Sequence, residues 1–501
     1  MRNAPAVCAG ASVLILCFGT LIAVEGRAGA ESQGLSHADW AAVRFTLTQA
    51  ALSAALSVAL AVPVARALAR RVFPGRTFFI TLLGAPFLLP VIVAILGLLA
   101  VFGRNGIFNT AFAAMGFEPF SIYGFHGVVL AHVFFNLPLA TRLVLQGWQA
   151  VPAEHFRTAV MLNAPIGAII EWPMLWRVLP NAALVIFLLC LTSFAVALTL
   201  GGGPRATTIE LAIYQAVRFD FDLSRAALLA GVQFIVCAFA ALTVWLITPL
   251  NDFGAGLDRQ ITRWDGSKLC DSLWISFAAV FLLLPMVMVL WRGLPELFTL
   301  PQAVWHAAGR SVVIAILSAF LTITLALTLA LRRGAFVTVI GVLPMASSSL
   351  VLGTGLFLIV FPWVRPSDVA LLVTILVNAT LALPFAIRIL APAVAAAQDD
   401  FGRLSTHLNL MGWRGLWLVI LPRVRRPLGF ACGLAAALSM GDLGVIALFA
   451  DENSATLPLM MYRLMGSYQS DATAGAGVLL AALSFALFWI CDQIGRGHAG
   501  A

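Results

Sequence analysis

Apolar runs of about twenty residues or more, parted by short polar breaks, recur along the whole chain. The first occupies residues 1 to about 24, behind a single Arg2. Others lie near 45–66, 78–102, 125–147, 180–200 and 226–249. The series then repeats near 270–292, 311–331, 335–361, 367–391, 426–449 and 473–494. A helix of ~20 mostly apolar residues crosses a bilayer, so length alone predicts twelve spans in two sets of six. Pro63, Pro86, Pro90 and Pro344 fall in or beside these runs. Neighbouring helices can re-satisfy the backbone groups that proline frees, so the prolines do not exclude a span. Ala28-Gly29-Ala30 resembles a signal-peptidase site, but the first run is read as a retained span; either way the next segment starts outside.

Two of the polar breaks are copies of each other. Residues 136–173 read NLPLATRLVLQGWQAVPAEHFRTAVMLNAPIGAIIEWP, and residues 382–422 read ALPFAIRILAPAVAAAQDDFGRLSTHLNLMGWRGLWLVILP. A shift of about 246 residues lays Leu137-Pro138 on Leu383-Pro384, Arg142 on Arg388, Arg157 on Arg403, and Leu162-Asn163 on Leu408-Asn409. After a short gap in the first copy, Trp172-Pro173 meets Leu421-Pro422. The period far exceeds that of stacked repeats, so a whole unit has been duplicated. In each copy an Arg-bearing helical turn leads to Asn and then to an apolar segment that closes on Pro. Asn tolerates the left-handed conformation that ends a helix. The pattern predicts a helix–turn–helix along the membrane surface, with a short helix offered to the cytosol. Such loops are long beside ordinary connections, and a duplicated knob suits a two-fold partner. Pattern alone leaves open that these helices only anchor to the surface.

Composition supports the span count. The 501 residues are 61% hydrophobic and only 10% charged, where a soluble chain carries roughly a quarter charged residues. The fold class is therefore an all-α integral membrane protein of about twelve transmembrane helices in two homologous six-helix halves. The net charge of +8 is read as loop arginines facing an anionic cytoplasmic leaflet of the lipid bilayer, not as a nucleic-acid site. Arg66, Arg70, Arg71 and Arg76, then Arg259, Arg263 and Lys268, then Arg332 and Arg333, then Arg423, Arg425 and Arg426 share one side if spans alternate. Glu25, Glu31, Asp39, Glu118, Asp220, Asp222, Glu296, Asp451, Glu452 and Asp471 share the other. The basic side is predicted to be cytoplasmic, with both termini and both knobs. Six spans per half give the halves one orientation, as in parallel repeats. The divisions are 1–42 (first helix and outer loop), 43–249 (first unit), 250–304 (polar linker and an added helix) and 305–495 (second unit).

Catalytic chemistry is sparse. No G-x-x-x-x-G-K-[ST] loop occurs, so no phosphate cradle of that type is present. Paired carboxylates, a nucleophile elbow and metal-ligand spacings are also missing, so neither enzyme activity nor a metal site is read. Gly201-Gly202-Gly203-Pro204 is read as a turn. The cysteines show no CxxC pair, and those in apolar runs (Cys17, Cys190, Cys237, Cys432, Cys491) are read as small hydrophobes. His132, inside a span, is read as packed or hydrogen-bonded ahead of a substrate contact. Asp442 lies in or at the edge of an apolar run, where a carboxylate is expensive and needs a partner, a wet cavity or a broken helix to cap. Its counterpart in the first half is Ser193, before Phe194. Ser193, Phe194, His132 and Asp442 are the candidate pathway residues.

The duplicated breaks resemble the EAA loops of type I ABC importer permeases. That pattern runs acidic-Ala-Ala, three residues, Gly, nine residues, Ile-x-Leu-Pro. Here the triplets are Arg157-Thr158-Ala159 and Arg403-Leu404-Ser405, and Asn163 and Asn409 stand for the Gly. The endings are Ile170-Glu171-Trp172-Pro173 and Val419-Ile420-Leu421-Pro422. The double-length chain adds HVFFNLPLATR (132–142), GGGPRATTIELAIYQAVRFDFD (201–222), GDLGVIALF (441–449) and TLPLMMYRLMGSY (456–468). With these it resembles the thiamine ABC transporter permeases over roughly residues 40–490. The resemblance implies a permease subunit in a bacterial inner membrane with no cofactor of its own. Two copies of an ABC ATPase, carrying ATP and Mg, would grip Arg157, Thr158, Ala159, Asn163, Glu171 and Pro173 in one loop. In the other they would grip Arg403, Leu404, Ser405, Asn409 and Pro422. A periplasmic thiamine-binding protein would deliver thiamine or its phosphates. The alternatives are a fused ABC permease for ferric iron and an ion-coupled secondary transporter. The latter usually buries several ionisable groups in its spans, and Asp442 stands nearly alone.

Overall fold

The computed structural model describes the chain except residues 1–3, 29–33, 84–87, 204–205, 248–266, 333, 335–336, 338–339, 342, 409, 411, 452–453 and 497–501. Most of the linker, Gly29-Ala30 of the peptidase-like site, Pro204 and Asn409 fall outside the described residues. The first half comprises α1 (Ala4–Ala28), α2 (His37–Arg70), α3 (Arg76–Leu82), α4 (Val91–Phe102), α5 (Ile107–Ala114), α6 (Phe125–Ala150) and α7 (Ala153–Met161). It continues with α8 (Trp172–Leu191), α9 (Phe194–Leu200), α10 (Ile209–Arg218) and α11 (Leu223–Ile247). The second half comprises α12 (Lys268–Gly293), α13 (Gln302–Ala330), α14 (Ser349–Val360), α15 (Pro366–His407), α16 (Leu421–Met440), α17 (Gly444–Phe449), α18 (Leu457–Gly466) and α19 (Ser470–Arg496).

Among the described residues, eleven helical stretches are long and apolar enough to cross a membrane. The twelfth expected span, 335–361, instead holds a 3-10 turn at Leu343–Ala346 and the short α14. Its counterpart in the first half is also broken, ahead of α4 at Pro90. Proline withholds a backbone donor and clashes with the preceding turn, so these runs split where the prolines fall. The runs 180–200 and 426–449 are split as well, at Thr192-Ser193 and at Gly441–Leu443. Both breaks lie deep among apolar segments, at matching places in the two halves.

Within each half one bundle forms the body: α2, α6 and α8 in the first, α13, α15 and α16 in the second. The leading helices cross over. α1 packs on α14 of the second half, and α12 packs on α4 of the first. Glycine makes both approaches possible. A Cβ on Gly355 would strike Thr20, and one on Gly97 would lie 2.6 Å from the Pro285 carbonyl oxygen. In lipid, helices associate through such close backbone packing because burial from water is not available to drive them. At the start of α2, Ser36 and Asp39 form a capping box, and Arg225 of α11 grips the same carboxylate at 2.9 Å.

Arginines read as solvated loop residues turn out to be structural. α2 continues past the expected end at 66 to Arg70. Arg70 and Arg71 hold the buried carboxylate of Asp271, at 3.2 and 2.6 Å, fastening α12 to the end of α2. Arg66 pairs with Glu171 at 2.8 Å, and buried Arg76 donates to the Leu68 carbonyl at 3.1 Å.

Candidate functional site

Both knobs leave the same face of the bundle. α12 starts beside the end of α2 at Asp271, crosses to the far face, and α13 returns to end beside the second knob, where Gln398 donates to the Leu331 carbonyl at 3.2 Å. The two knobs close by the same bonds. In the first, Leu162 N donates to Thr158 O at 3.0 Å and Ala164 N to Ala159 O at 2.8 Å. In the second, Leu408 N donates to Leu404 O at 3.0 Å and Leu410 N to Ser405 O at 2.8 Å. Asn163 has φ 51°, the left-handed conformation expected of it, and its N–H bonds the Val160 carbonyl at 3.1 Å. Together these are the bonds of a Schellman helix end. Asn409 itself lies outside the described residues.

The knobs differ in their entry. The sequence predicts a short surface helix in each. The first has one, α7, but the second is the tail of the 42-residue α15. Pro152 accounts for the difference. It forces Val151 into an extended conformation (φ −76°, ψ 126°), as residues before proline tend to be, whereas Gln398 at the matching place lets the helix continue. Each knob then runs through a π-helical turn, Gly167–Glu171 or Leu416–Ile420, into α8 or α16. Pro173 and Pro422 sit in the first turn of those helices, where the missing N–H is not needed.

Arg157 and Thr158 are exposed, as are Arg403 and Leu404, while Ala159 is buried and Ser405 half-buried. The Ser405 hydroxyl donates to the Leu410 carbonyl at 2.6 Å, bracing the turn. The tips are apolar and uncovered: Met161 is 85% exposed, Leu162 73% and Leu408 60%. Glu171 is not offered to solvent. It is buried, and Arg66 holds it through both carboxylate oxygens, tying the first knob to α2.

The pathway candidates lie deeper. His132 is buried, with Nδ1 3.5 Å from the Ser53 hydroxyl and Nε2 unpartnered. Ser193 precedes α9 without capping it. Phe194 is buried against the Tyr214 ring, centroids 5.3 Å apart. Asp442 accepts from Gly444 N at 3.3 Å through Oδ1, so it braces the break before α17. Its Oδ2 is buried with no partner. A helix broken at depth strands its last carbonyls, and glutamines from other spans serve them here. Gln49 donates to Cys190 O at 3.1 Å and Gln233 to Leu191 O at 2.8 Å.

Sequence reasoning missed Gln49, Gln233 and Glu210. Glu210 is fully buried in the first turn of α10, so Asp442 does not stand alone. The signal was present: Glu210 is the only charged residue of TTIELAIYQA, and each glutamine interrupts an apolar run. The Gly run ahead of α10 is a turn, as expected, with Gly202 at φ 73° and Gly203 at φ 128°. Tyr214, Gln215 and Phe219 of α10, with Arg225 and with Tyr462 of α18, line a cleft of about 420 Å³ beside this turn. Among the described residues no three metal-ligating side chains gather.

No protein-family model matches the chain. Curated relatives do. The thiamine transport system permease protein ThiP of Salmonella typhimurium is 37% identical over 520 residues, covering 99% of this chain and 97% of its own. The ThiP of Escherichia coli K12 is 37% identical over 477 residues, covering 91% and 89%. That of Brucella abortus is 36% identical over 479 residues, covering 91% and 87%. Likeness at this identity along nearly the whole of both chains, with the duplicated knobs and helical bundle described above, places this chain in the family of thiamine transport system permease proteins.

Proposed function

We propose that the chain is the membrane permease subunit of a binding-protein-dependent ABC importer. It carries thiamine, and thiamine phosphates, into the cytoplasm with ATP hydrolysed by a separate subunit. The family relationship supports the substrate class. The observation that carries the coupling role is the pair of knobs, closed by the same backbone bonds and each presenting an uncovered apolar tip, Met161-Leu162 in one and Leu408 in the other. Exposed apolar tips on a rigid turn suit burial in a groove of a partner, and two matching tips suit two copies of it. The partner is the ATPase, which holds ATP and Mg. A periplasmic binding protein delivers substrate to the opposite face. The knob face is cytoplasmic, with both termini, as the arginine distribution supports, and the membrane is the bacterial inner membrane. Units 43–249 and 305–495 rock against each other as the ATPases close, with α1 and α12 as the crossed struts.

In this account Arg157, Thr158, Asn163, Arg403, Leu404 and Asn409 meet the ATPases. Glu171, Pro173, Ser405 and Pro422 hold the knobs in shape. Ser193, Phe194, His132 and Asp442 lie along the path. The test is co-purification from a detergent extract. Two ATPase subunits should accompany each chain, and Leu162→Asp with Leu408→Asp should release them while the permease stays monodisperse. Retention of both subunits by that variant would sink the coupling assignment.

A further inference from the structure

Glu210, on α10 of the first half, and Asp442, at the break before α17 of the second, lie on elements that pack against each other across the interface between the halves. Thr208 caps α10 by accepting from Leu211 N at 3.3 Å, and Ile209 N donates to the Thr46 hydroxyl at 2.9 Å. These bonds fix the first turn of α10 and aim Glu210 inward. One carboxylate oxygen of Glu210 accepts from Gln233 Nε2 at 3.2 Å. Ser348, at the start of α14, caps that helix by accepting from Val351 N at 3.1 Å. The neighbouring Ser349 hydroxyl reaches Gly444, where an added Cβ would also lie 3.6 Å from Asp442 Oδ1.

Three acceptor atoms in this cluster have no partner: Glu210 Oε2, Gln233 Oε1 and Asp442 Oδ2, all shielded from solvent. Glu210 and Gln233 are fully buried side chains. Among the described residues neither carboxylate forms an ion pair. Buried polar groups are ordinarily paired, and a buried charge is paired above all. A cluster that offers only acceptors, two of them carboxylates, is complementary to a cation that carries N–H donors.

The fold itself does not require these carboxyl groups. In the duplicated half the place of Asp442 is taken by Ser193 and that of Glu210 by Pro458, each at an equivalent break or helix start. The same local geometry is therefore built without a carboxylate at either place.

We infer that Glu210 and Asp442, with Gln233, form a substrate site between the two halves that receives the fixed positive charge and the amino group of thiamine. The site rests on the thiamine reading above. Thiamine has a quaternary thiazolium nitrogen and an aminopyrimidine N–H₂, which supply the cation and the donors that the cluster lacks. Because α10 packs on α14 and α17 across the interface, a site here is assembled and taken apart as the halves rock. Such a site alternates access with no separate gate.

The test uses the permease–ATPase complex in nanodiscs and two probes: labelled thiamine, and its neutral isostere in which thiophene replaces thiazolium. Wild-type complex should bind thiamine at least about tenfold more tightly than the isostere, and Glu210→Gln and Asp442→Asn should each remove about tenfold of thiamine affinity while leaving the isostere unchanged. Glu210→Asp should restore part of the preference. Monodispersity and melting temperature certify folding. Equal losses for both probes would mark a structural role and overturn the site. Unchanged thiamine binding in both variants, with wild-type transport intact, would overturn the site and spare the thiamine reading. A wild-type complex that neither binds nor transports thiamine would overturn both.

Discussion

Asn163→Pro is the sharpest perturbation of the first knob. Asn163 sits at φ 51°, and proline locks φ near about −65°, so the left-handed turn cannot form. Two bonds go with it: Asn163 N to Val160 O, and the closing bond from Ala164 N to Ala159 O. At about 1 kcal/mol net each, the two bonds alone account for ~2 kcal/mol, so the closed-to-open ratio of the turn falls by at least about thirtyfold. The bundle does not depend on this turn, so expression and the melting temperature of the whole protein should change little. The assay is ATP-driven uptake of labelled thiamine by proteoliposomes, with ATP hydrolysis measured in parallel. Uptake per ATP should fall by about tenfold or more for Asn163→Pro, and further when Asn409→Pro is added. Asn163→Gly, which adopts the left-handed turn at no steric cost, should keep its coupling. Wild-type uptake per ATP in the proline variant, or equal loss in the glycine variant, would refute the reasoning.

Asp271→Asn leaves Arg70 and Arg71 without the carboxylate that both hold; breaking a buried pair costs ~3–5 kcal/mol, and a clear fall in melting temperature, measured in detergent, is expected. Gly97→Val would push a side chain against the Pro285 carbonyl, 2.6 Å from its Cβ. Overpacking of this kind costs ~1–3 kcal/mol, and disulfide trapping between cysteines placed on α4 and α12 should show the two helices parting. In a cysteine-free background, Ser224→Cys should react with a membrane-impermeant thiol reagent from outside, and Ser267→Cys only after the membrane is opened. The opposite pattern would reverse the orientation.

The span series and the duplication were legible because both rest on local signals. Hydropathy marks a span by itself, and Arg157 and Asn163 repeat at Arg403 and Asn409. The left-handed turn at Asn163 was legible for the same reason. The interruptions were not. A run such as 180–200 reads as one helix, and only packing against α2 and α11 shows that Gln49 and Gln233 serve the carbonyls freed at Thr192. Charge asymmetry misleads in one respect: it assigns Arg66, Arg70 and Arg71 to solvent, but their partners Glu171 and Asp271 lie about 100 to 200 residues away in sequence. Glu210 was missed because α10 is short and follows a glycine turn, so its burial depends on helices of both halves.

Import of thiamine driven by a separate ATPase subunit, as proposed above, is tested most directly by reconstitution. Purified permease, ATPase and binding protein should be reconstituted in liposomes, and the accumulation of labelled thiamine inside should be followed with ATP supplied on the ATPase side. Accumulation should require all three proteins and ATP, stop when the ATPase is omitted, and be indifferent to collapse of proton and sodium gradients. Accumulation by the chain alone under an ion gradient, or transport of ferric iron in place of thiamine, would contradict it.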